Sequence, residues 1–117
     1  MMENNFSIII STCDKFSDLW DAHILLLNQN WADRNVETFL VTDKPTDRTF
    51  ENVTVVAAGE GTEITERLRA VMPLIKTEYV LFTLDDYFLT ERISTQAVNE
   101  DTQIMEKHQI DYLRLFV

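Results

Sequence analysis

The sequence predicts a three-layer α/β/α domain of the Rossmann-like type, with a mostly parallel sheet of about five strands. Short apolar, β-branched runs alternate with amphipathic segments along the chain, which is typical of βαβ units. The 117 residues suffice for one domain with a core of its own. Their composition, 45% hydrophobic and 26% charged, is that of a globular protein and excludes a disordered chain.

The first half of the chain reads as a strand, a helix and a second strand. Phe6–Thr12 is an apolar, β-branched run and predicts the first strand. Apolar residues at helical spacing predict a helix over Ser17–Gln29, with Ser17 as its N-cap. The second strand is predicted at Val36–Thr42, before a polar loop at Lys44–Asn52. The helical stripe consists of Leu19, Trp20, His23, Ile24 and Leu27.

The second half continues this alternation of strands and helices. Val53–Ala57 predicts a third strand, and a glycine-containing turn then leads into a helix that Pro73 should kink or end early. Ser94–Gln109 predicts another helix, and Asp111–Val117 predicts a fifth strand. The residues expected on the buried sides of these two helices are Ile64, Leu68, Val71, Met72 and Ile75, and Ala97, Val98, Ile104, Met105 and His108.

The fourth strand, Tyr79–Leu84, ends in two adjacent carboxylates. Its six residues carry no charge, which is typical of a strand covered on both faces. Asp85 and Asp86 follow at its carboxyl end, the edge where ligands bind in open α/β sheets. Two neighbouring acids repel each other unless a cation shares them. The pair therefore indicates a functional site.

Acids also follow the first and second predicted strands, at Asp14 and Asp43. In a parallel sheet all these carboxylates gather at one edge, where Mg²⁺ or Mn²⁺ would find the oxygen ligands that they prefer. The alternative is that strand ends are polar simply because loops begin there, and for Asp14 and Asp43 this alternative stays open. It is weaker for Asp85 and Asp86, since adjacent acids beside two aromatic residues make a poor simple loop.

Charge and cysteine content narrow the partners and the compartment. Twenty acidic and ten basic residues give a net charge of −10, which argues against nucleic acid or an anionic membrane as partner. Cys13 is the only cysteine, so an internal disulfide is excluded and a reducing compartment is expected. Neither a signal peptide nor a transmembrane segment is recognisable, and we expect a cytoplasmic location.

Three stretches resemble family 2 glycosyltransferases of the GT-A fold. Phe6–Phe16 (FSIIISTCDKF) is similar to their opening strand and loop, and Phe39–Asp47 (FLVTDKPTD) is similar to their second strand and the turn after it. Thr77–Asp86 (TEYVLFTLDD) is similar to the strand that leads into their Asp-x-Asp or Asp-Asp motif. The resemblance implies a domain that binds a nucleotide-diphosphate sugar, for an unknown acceptor, in polysaccharide or glycoconjugate synthesis.

The resemblance also implies a role for each matching position. Ser11, Cys13 and Asp14 would lie beside the nucleobase, and Asp43 would hydrogen-bond the base or ribose. Arg67 matches loosely an arginine near the base and diphosphate. The remaining two residues are Asp85, which would approach the ribose and the metal, and Asp86, which would hold Mn²⁺ or Mg²⁺ on the diphosphate.

The sequence departs from the family in three ways. Cys13 replaces the usual aromatic residue of the first loop, and Tyr87 stands where a third-position Asp is commoner. The family's catalytic base and acceptor site lie beyond the fifth strand, so the chain matches only the nucleotide-binding half and is expected to be incomplete at its C-terminus. An unpaired final strand would also be an edge for self-association.

Two other function classes compete with the glycosyltransferase interpretation. A non-catalytic remnant or interaction domain would keep the fold and lose turnover. A signalling receiver domain would need an acidic residue after the third strand, where this chain has Ala57 and Ala58, and an acidic neighbour for Asp14. The receiver interpretation is therefore the weakest.

Overall fold

A four-stranded, all-parallel sheet lies at the centre of the structure, a computed structural model that describes residues 4–113. The strand order is β3-β2-β1-β4, so the chain adds strands on one side of β1 and then crosses to its other side. The α/β class and the parallel sheet are confirmed. The strands are β1 (Phe6–Ser11), β2 (Thr38–Thr42), β3 (Thr54–Ala57) and β4 (Tyr79–Leu84).

The described residues contain three α-helices: α1 (Trp20–Asn30) between β1 and β2, α2 (Ile64–Val71) between β3 and β4, and α3 (Thr95–His108) after β4. The expected cap at Ser17 is wrong, because a 3₁₀ segment occupies Asp14–Leu19 and α1 starts only after it. The expected early end at Pro73 is confirmed, since α2 gives way to a 3₁₀ turn at Met72–Leu74. None of the helices in residues 4–113 is long and apolar enough to cross a membrane.

Two apolar cores lie on opposite faces of the sheet. On one face α1 and α3 pack against alternate residues of the strands, and on the other face α2 packs against the residues between them. The alternation follows from the two-residue period of a strand. The first core contains Phe6, Ile8, Ile10, Trp20, Leu27, Trp31, Val36, Leu40 and Val98, and the second contains Ile9, Phe39, Val41 and Val71.

Strand β4 is not covered on both faces, contrary to the sequence prediction. Val80 and Phe82 are 36% and 41% exposed, whereas Leu81 on the other face is half-buried against the first core. Val80 and Phe82 are exposed because of the position of β4 in the sheet. β4 is an outer strand of the described sheet, and the strand residues buried in the α2 core come from β1 and β2.

Helix α3 buries a different side from the one expected. Of its five predicted buried residues only Val98 is buried, Met105 is half-buried, and Ala97, Ile104 and His108 are exposed. The buried positions are instead Thr95, Val98, Asn99 and Thr102. The hydroxyls of Thr95 and Thr102 have partners that offset the cost of burial, such as the indole N–H of Trp31 for Thr95, whereas Oδ1 of Asn99 has no partner among the described residues.

The described sheet has four strands rather than about five. Asp111–Leu113, the described part of the predicted fifth strand, is not a strand. The rest of that prediction, residues 114–117, lies outside the described residues.

Because β2 is more deeply buried than β4, substitutions in the two strands should differ in their cost to the free energy of unfolding. Leu40 is fully buried in β2, so Leu40→Ala should cost about 2–5 kcal/mol of unfolding free energy through lost burial and a cavity. Phe82→Thr keeps a β-favouring residue at an exposed position and should cost no more than about 1 kcal/mol. Urea denaturation measures both values. Equal costs would show that Phe82 is covered in solution.

Candidate functional site

The carboxyl ends of β1 and β4 meet at the point where the strand order reverses. The two strands are parallel neighbours, with Ser11 opposite Leu84, so the residues that follow them are neighbours too. The backbone N–H of Asp85 continues the pairing by donating to the Ser11 carbonyl at 3.2 Å. Ligands of open α/β sheets bind at such a switch point, and here it is formed by Thr12 and Asp85.

A short chain of hydrogen bonds links these two residues to helix α1. The Thr12 hydroxyl donates to Oδ2 of Asp85 at 2.6 Å. The indole N–H of Trp20 donates to the same hydroxyl oxygen at 2.7 Å. Trp20 and Thr12 are 1% and 3% exposed, whereas Asp85 is half-buried and Asp86 is exposed. The carboxylate of Asp85 is therefore tied to the protein interior.

His23 holds the main chain of the same residue. Its Nδ1 lies 3.1 Å from the Asp85 carbonyl oxygen, and because a carbonyl only accepts, Nδ1 carries the hydrogen. The ring is buried and lies 6.1 Å, centroid to centroid, from Phe88. Burial lowers the pKa of His23 below its usual 6.5, although the bond to Asp85 and the charges of Asp85 and Asp86 oppose this. His23 is therefore kept neutral.

Asp43 and Asp14 are brought together beside β1 and β2. Oδ1 of Asp43 accepts hydrogen bonds from the backbone N–H groups of Asp14 and Lys44, both at 2.8 Å, and from the Thr42 hydroxyl at 3.2 Å. Burial raises the pKa of the Asp43 carboxyl, but these bonds outweigh it, and the pKa lies below its usual 3.8. Asp43 is thus an ionised acceptor whose orientation the backbone fixes.

Arg67 lies near the same edge, where its guanidinium is hydrogen-bonded to the turn between Gly59 and Thr62. Gly59, with a φ of +127° that favours glycine, donates its N–H to the Asp43 carbonyl at 2.8 Å. Thr62 ends the turn, and its carbonyl accepts from Nη1 of Arg67 at 2.6 Å. Nε of Arg67 is buried and has no partner among the described residues. Among residues 4–113 the side chain of Arg67 forms no hydrogen bond or salt bridge with Asp14, Asp43, Asp85 or Asp86.

The three residues predicted to bind the nucleobase, at the end of β1 and in the loop after it, differ in their exposure to solvent. Ser11 is buried in β1, Cys13 is half-buried in an extended conformation, and Asp14 is exposed. A ligand above the carboxyl edge would reach Asp14 first and Ser11 last. The structure thus brings Asp14 and Asp43 into one group and Thr12 and Asp85 into another, with Asp86 beside them.

The acids suit a hard divalent cation that arrives with phosphate. Within residues 4–113 no group of three or more His, Cys, Asp and Glu side chains could hold a metal by itself. Mg²⁺ needs only one or two protein carboxylates where a substrate supplies phosphate oxygens. Exposed Asp86 and Oδ1 of Asp85, the oxygen that Thr12 does not bind, are the carboxylate groups at this edge that could serve such a cation.

Two open grooves lie elsewhere on the molecule. One, of about 640 Å³, is lined by the amide side chains of Asn4, Asn35 and Asn99 and their neighbours, beside the amino ends of β1 and β2. The other, of about 390 Å³, lies between Tyr79 and the end of α3. Neither groove is lined by Thr12, Asp43, Asp85 or Asp86, so the candidate site at the carboxyl edge is distinct from both.

Comparison with known proteins gives no match: no family model, curated protein or solved structure corresponds to this chain.

Sequence reasoning missed Thr12 and read Trp20 and His23 only as packing residues. Thr12 could have been found, because it follows β1 as Asp85 follows β4 in a parallel pair. No sequence signal marks Trp20 or His23, since their contacts with Thr12 and Asp85 depend on how α1 packs against the sheet.

The neutral, buried His23 predicts a loss of stability in mild acid. As the pH falls through 6.5, the usual histidine pKa, the unfolded chain binds a proton before the folded chain does. The stability that neutral His23 contributes above that pH is then lost progressively, at about 1.4 kcal/mol per unit of pKa difference. His23→Asn keeps a donor for the Asp85 carbonyl and does not titrate.

Urea denaturation of both proteins between about pH 7.5 and pH 5 measures the effect. We expect the wild-type free energy of unfolding to fall more steeply than that of the variant. Identical slopes would contradict the prediction.

Proposed function

We propose that this chain binds a nucleotide-diphosphate sugar together with Mn²⁺ or Mg²⁺, as the donor-binding half of a glycosyltransferase in polysaccharide or glycoconjugate synthesis. The observation that carries the proposal is the position of Asp85, bonded to Thr12 at the β1–β4 switch point with exposed Asp86 beside it. This is the edge at which α/β sheets bind nucleotides, and the acids there suit a cation that binds with phosphate.

We propose a role for each residue, and for Asp43, Asp85 and Asp86 that role uses the oxygens that existing bonds leave available. Asp86 would take the metal on the diphosphate, and Asp85 would take a ribose hydroxyl or the metal through Oδ1. Asp43 would accept from the base or ribose through Oδ2, since backbone N–H groups occupy Oδ1. Arg67 would lie toward the diphosphate. The residues expected beside the base are Ser11, Cys13 and Asp14.

The charge of the protein makes the cation essential to this proposal. A diphosphate approaching Asp85 and Asp86 on a chain of net charge −10 meets repulsion. A divalent cation between carboxylate and phosphate reverses that interaction, and in glycosyl transfer it would also stabilise the charge that develops on the leaving diphosphate.

A non-catalytic domain with the same fold is the second candidate. It is favoured by the absence, within residues 4–113, of a residue to which the role of a base for the acceptor hydroxyl can be assigned. Such a domain would bind the donor without turning it over. Incubating the protein with UDP-sugars and Mn²⁺ and measuring released UDP separates it from an enzyme that hydrolyses its donor.

Calorimetric titration with UDP and the other nucleoside diphosphates tests the proposal. We expect binding in Mn²⁺ and at least about tenfold weaker binding in EDTA, a difference of about 1.4 kcal/mol. Asp86→Ala should weaken binding in Mn²⁺ by a similar factor, because it removes the exposed carboxylate. If wild-type protein binds no nucleotide with or without Mn²⁺, the proposed function is wrong.

Asp111→Ala is the matched control for Asp86→Ala. Asp111 is also an exposed aspartate, and it follows α3, beside the groove near Tyr79. Its replacement changes the net charge of the protein by the same amount. Because Asp111 lies away from the candidate site, its replacement should leave the affinity for the nucleotide within about twofold. Equal losses in the two variants would show a general charge effect and would contradict the metal role of Asp86.

A further inference from the structure

We propose that Thr12 and Trp20 are positioning residues of the candidate site, which fix the Asp85 carboxylate so that Oδ1 is the oxygen offered to a ligand. The proposal rests on the proposed function for its ligand, a nucleotide-diphosphate sugar. The fixed orientation of Asp85 is a property of the protein alone.

The direction of the hydrogen-bond chain follows from its donors. An indole N–H only donates, so Trp20 must give its hydrogen to the Thr12 oxygen. The Thr12 hydroxyl then has one hydrogen of its own, which it donates to Oδ2 of Asp85. At 2.6 Å this bond has the length of a charge-assisted hydrogen bond to a carboxylate. This series of hydrogen bonds therefore determines which carboxylate oxygen of Asp85 is bound within the protein.

Trp20, the first donor of the hydrogen-bond chain, is packed on several sides. Trp20 is 1% exposed, and its ring meets the ring of Phe50 edge-on at 6.3 Å. The Arg48 guanidinium lies 5.1 Å from the Trp20 ring centroid and is itself bonded to the Ser17 carbonyl and to Asp21, both at 2.8 Å. A ring packed in this way has little freedom to turn, so the indole N–H keeps its direction.

The two adjacent acids therefore differ in freedom. Asp85 is fixed at its carboxylate by Thr12, at its carbonyl by His23 and at its N–H by Ser11. Asp86 is exposed, and the described residues make no such contacts with its side chain. A site with one preorganised acceptor and one adaptable ligand loses less entropy on binding than one with two free carboxylates.

Three substitutions test the proposal. Thr12→Val keeps the shape and removes the hydroxyl, Thr12→Ser restores it, and Trp20→Phe removes the indole N–H. Affinity for UDP in Mn²⁺ should fall about tenfold or more in Thr12→Val, as for other residues that orient a ligand group, and return to within about threefold of wild type in Thr12→Ser. We expect an intermediate loss in Trp20→Phe.

Thr102→Val is the matched control. Thr102 is also a buried threonine, and its hydroxyl donates to the Asn99 carbonyl at 2.7 Å, away from the carboxyl edge. Its loss should leave UDP affinity unchanged. Thr12→Val should lower the melting temperature more than Thr102→Val does, because it also leaves the buried Trp20 N–H without a partner. If Thr12→Val lowers only the melting temperature, Thr12 is a structural link between β1 and β4 and the proposal is wrong.

The rotamer of Asp85 is a readout that needs no ligand. Three-bond NMR couplings should show a single χ1 rotamer in wild type and Thr12→Ser, and averaging in Thr12→Val and Trp20→Phe. Wild-type protein that binds no UDP defeats the proposed function, while the couplings still decide the positioning. A single rotamer in Thr12→Val or, should that variant not fold, in Trp20→Phe would overturn the proposal.

Discussion

The parallel pairing of β1 with β4 is the constraint on which the candidate site depends. Strands β1, β2 and β3 extend the sheet in one direction, and β4 returns to the free side of β1. Because parallel neighbours end at the same edge, the pairing sets Thr12 against Asp85. A shift of one residue in register would turn the side chains of β4 to opposite faces and break this contact.

Three carboxylates of the acidic edge are compensated in different ways. Asp43 accepts backbone N–H groups, Asp85 accepts a hydroxyl, and Asp86 remains in water. Hydrogen bonds and hydration thus replace the salt bridges that a less acidic protein would use. Neutral His23 adds no positive charge that would offset the negative charge of these carboxylates.

The features that depend only on a few neighbouring residues could be predicted from the sequence. The four described strands and the end of α2 at Pro73 follow from β-branched runs and a missing N–H. The exposure of Phe82 and the burial of Thr102 could not be predicted, because they depend on which strand lies outermost and on how α3 turns over the sheet. At the site, sequence supplied the acids but not the Trp20 indole that orients one of them.

The polar loop between β2 and β3 contributes more to the fold than its composition suggests. Arg48 reaches from it to stack on Trp20 and Phe50 and to pair with Asp21. Loops of this kind usually accept deletions and inserted tags, since few buried contacts depend on them. Here, shortening the loop would uncover an indole of the core and remove the partner of Asp21. An engineer who needs an insertion site should therefore leave Arg48 and its approach to α1 intact.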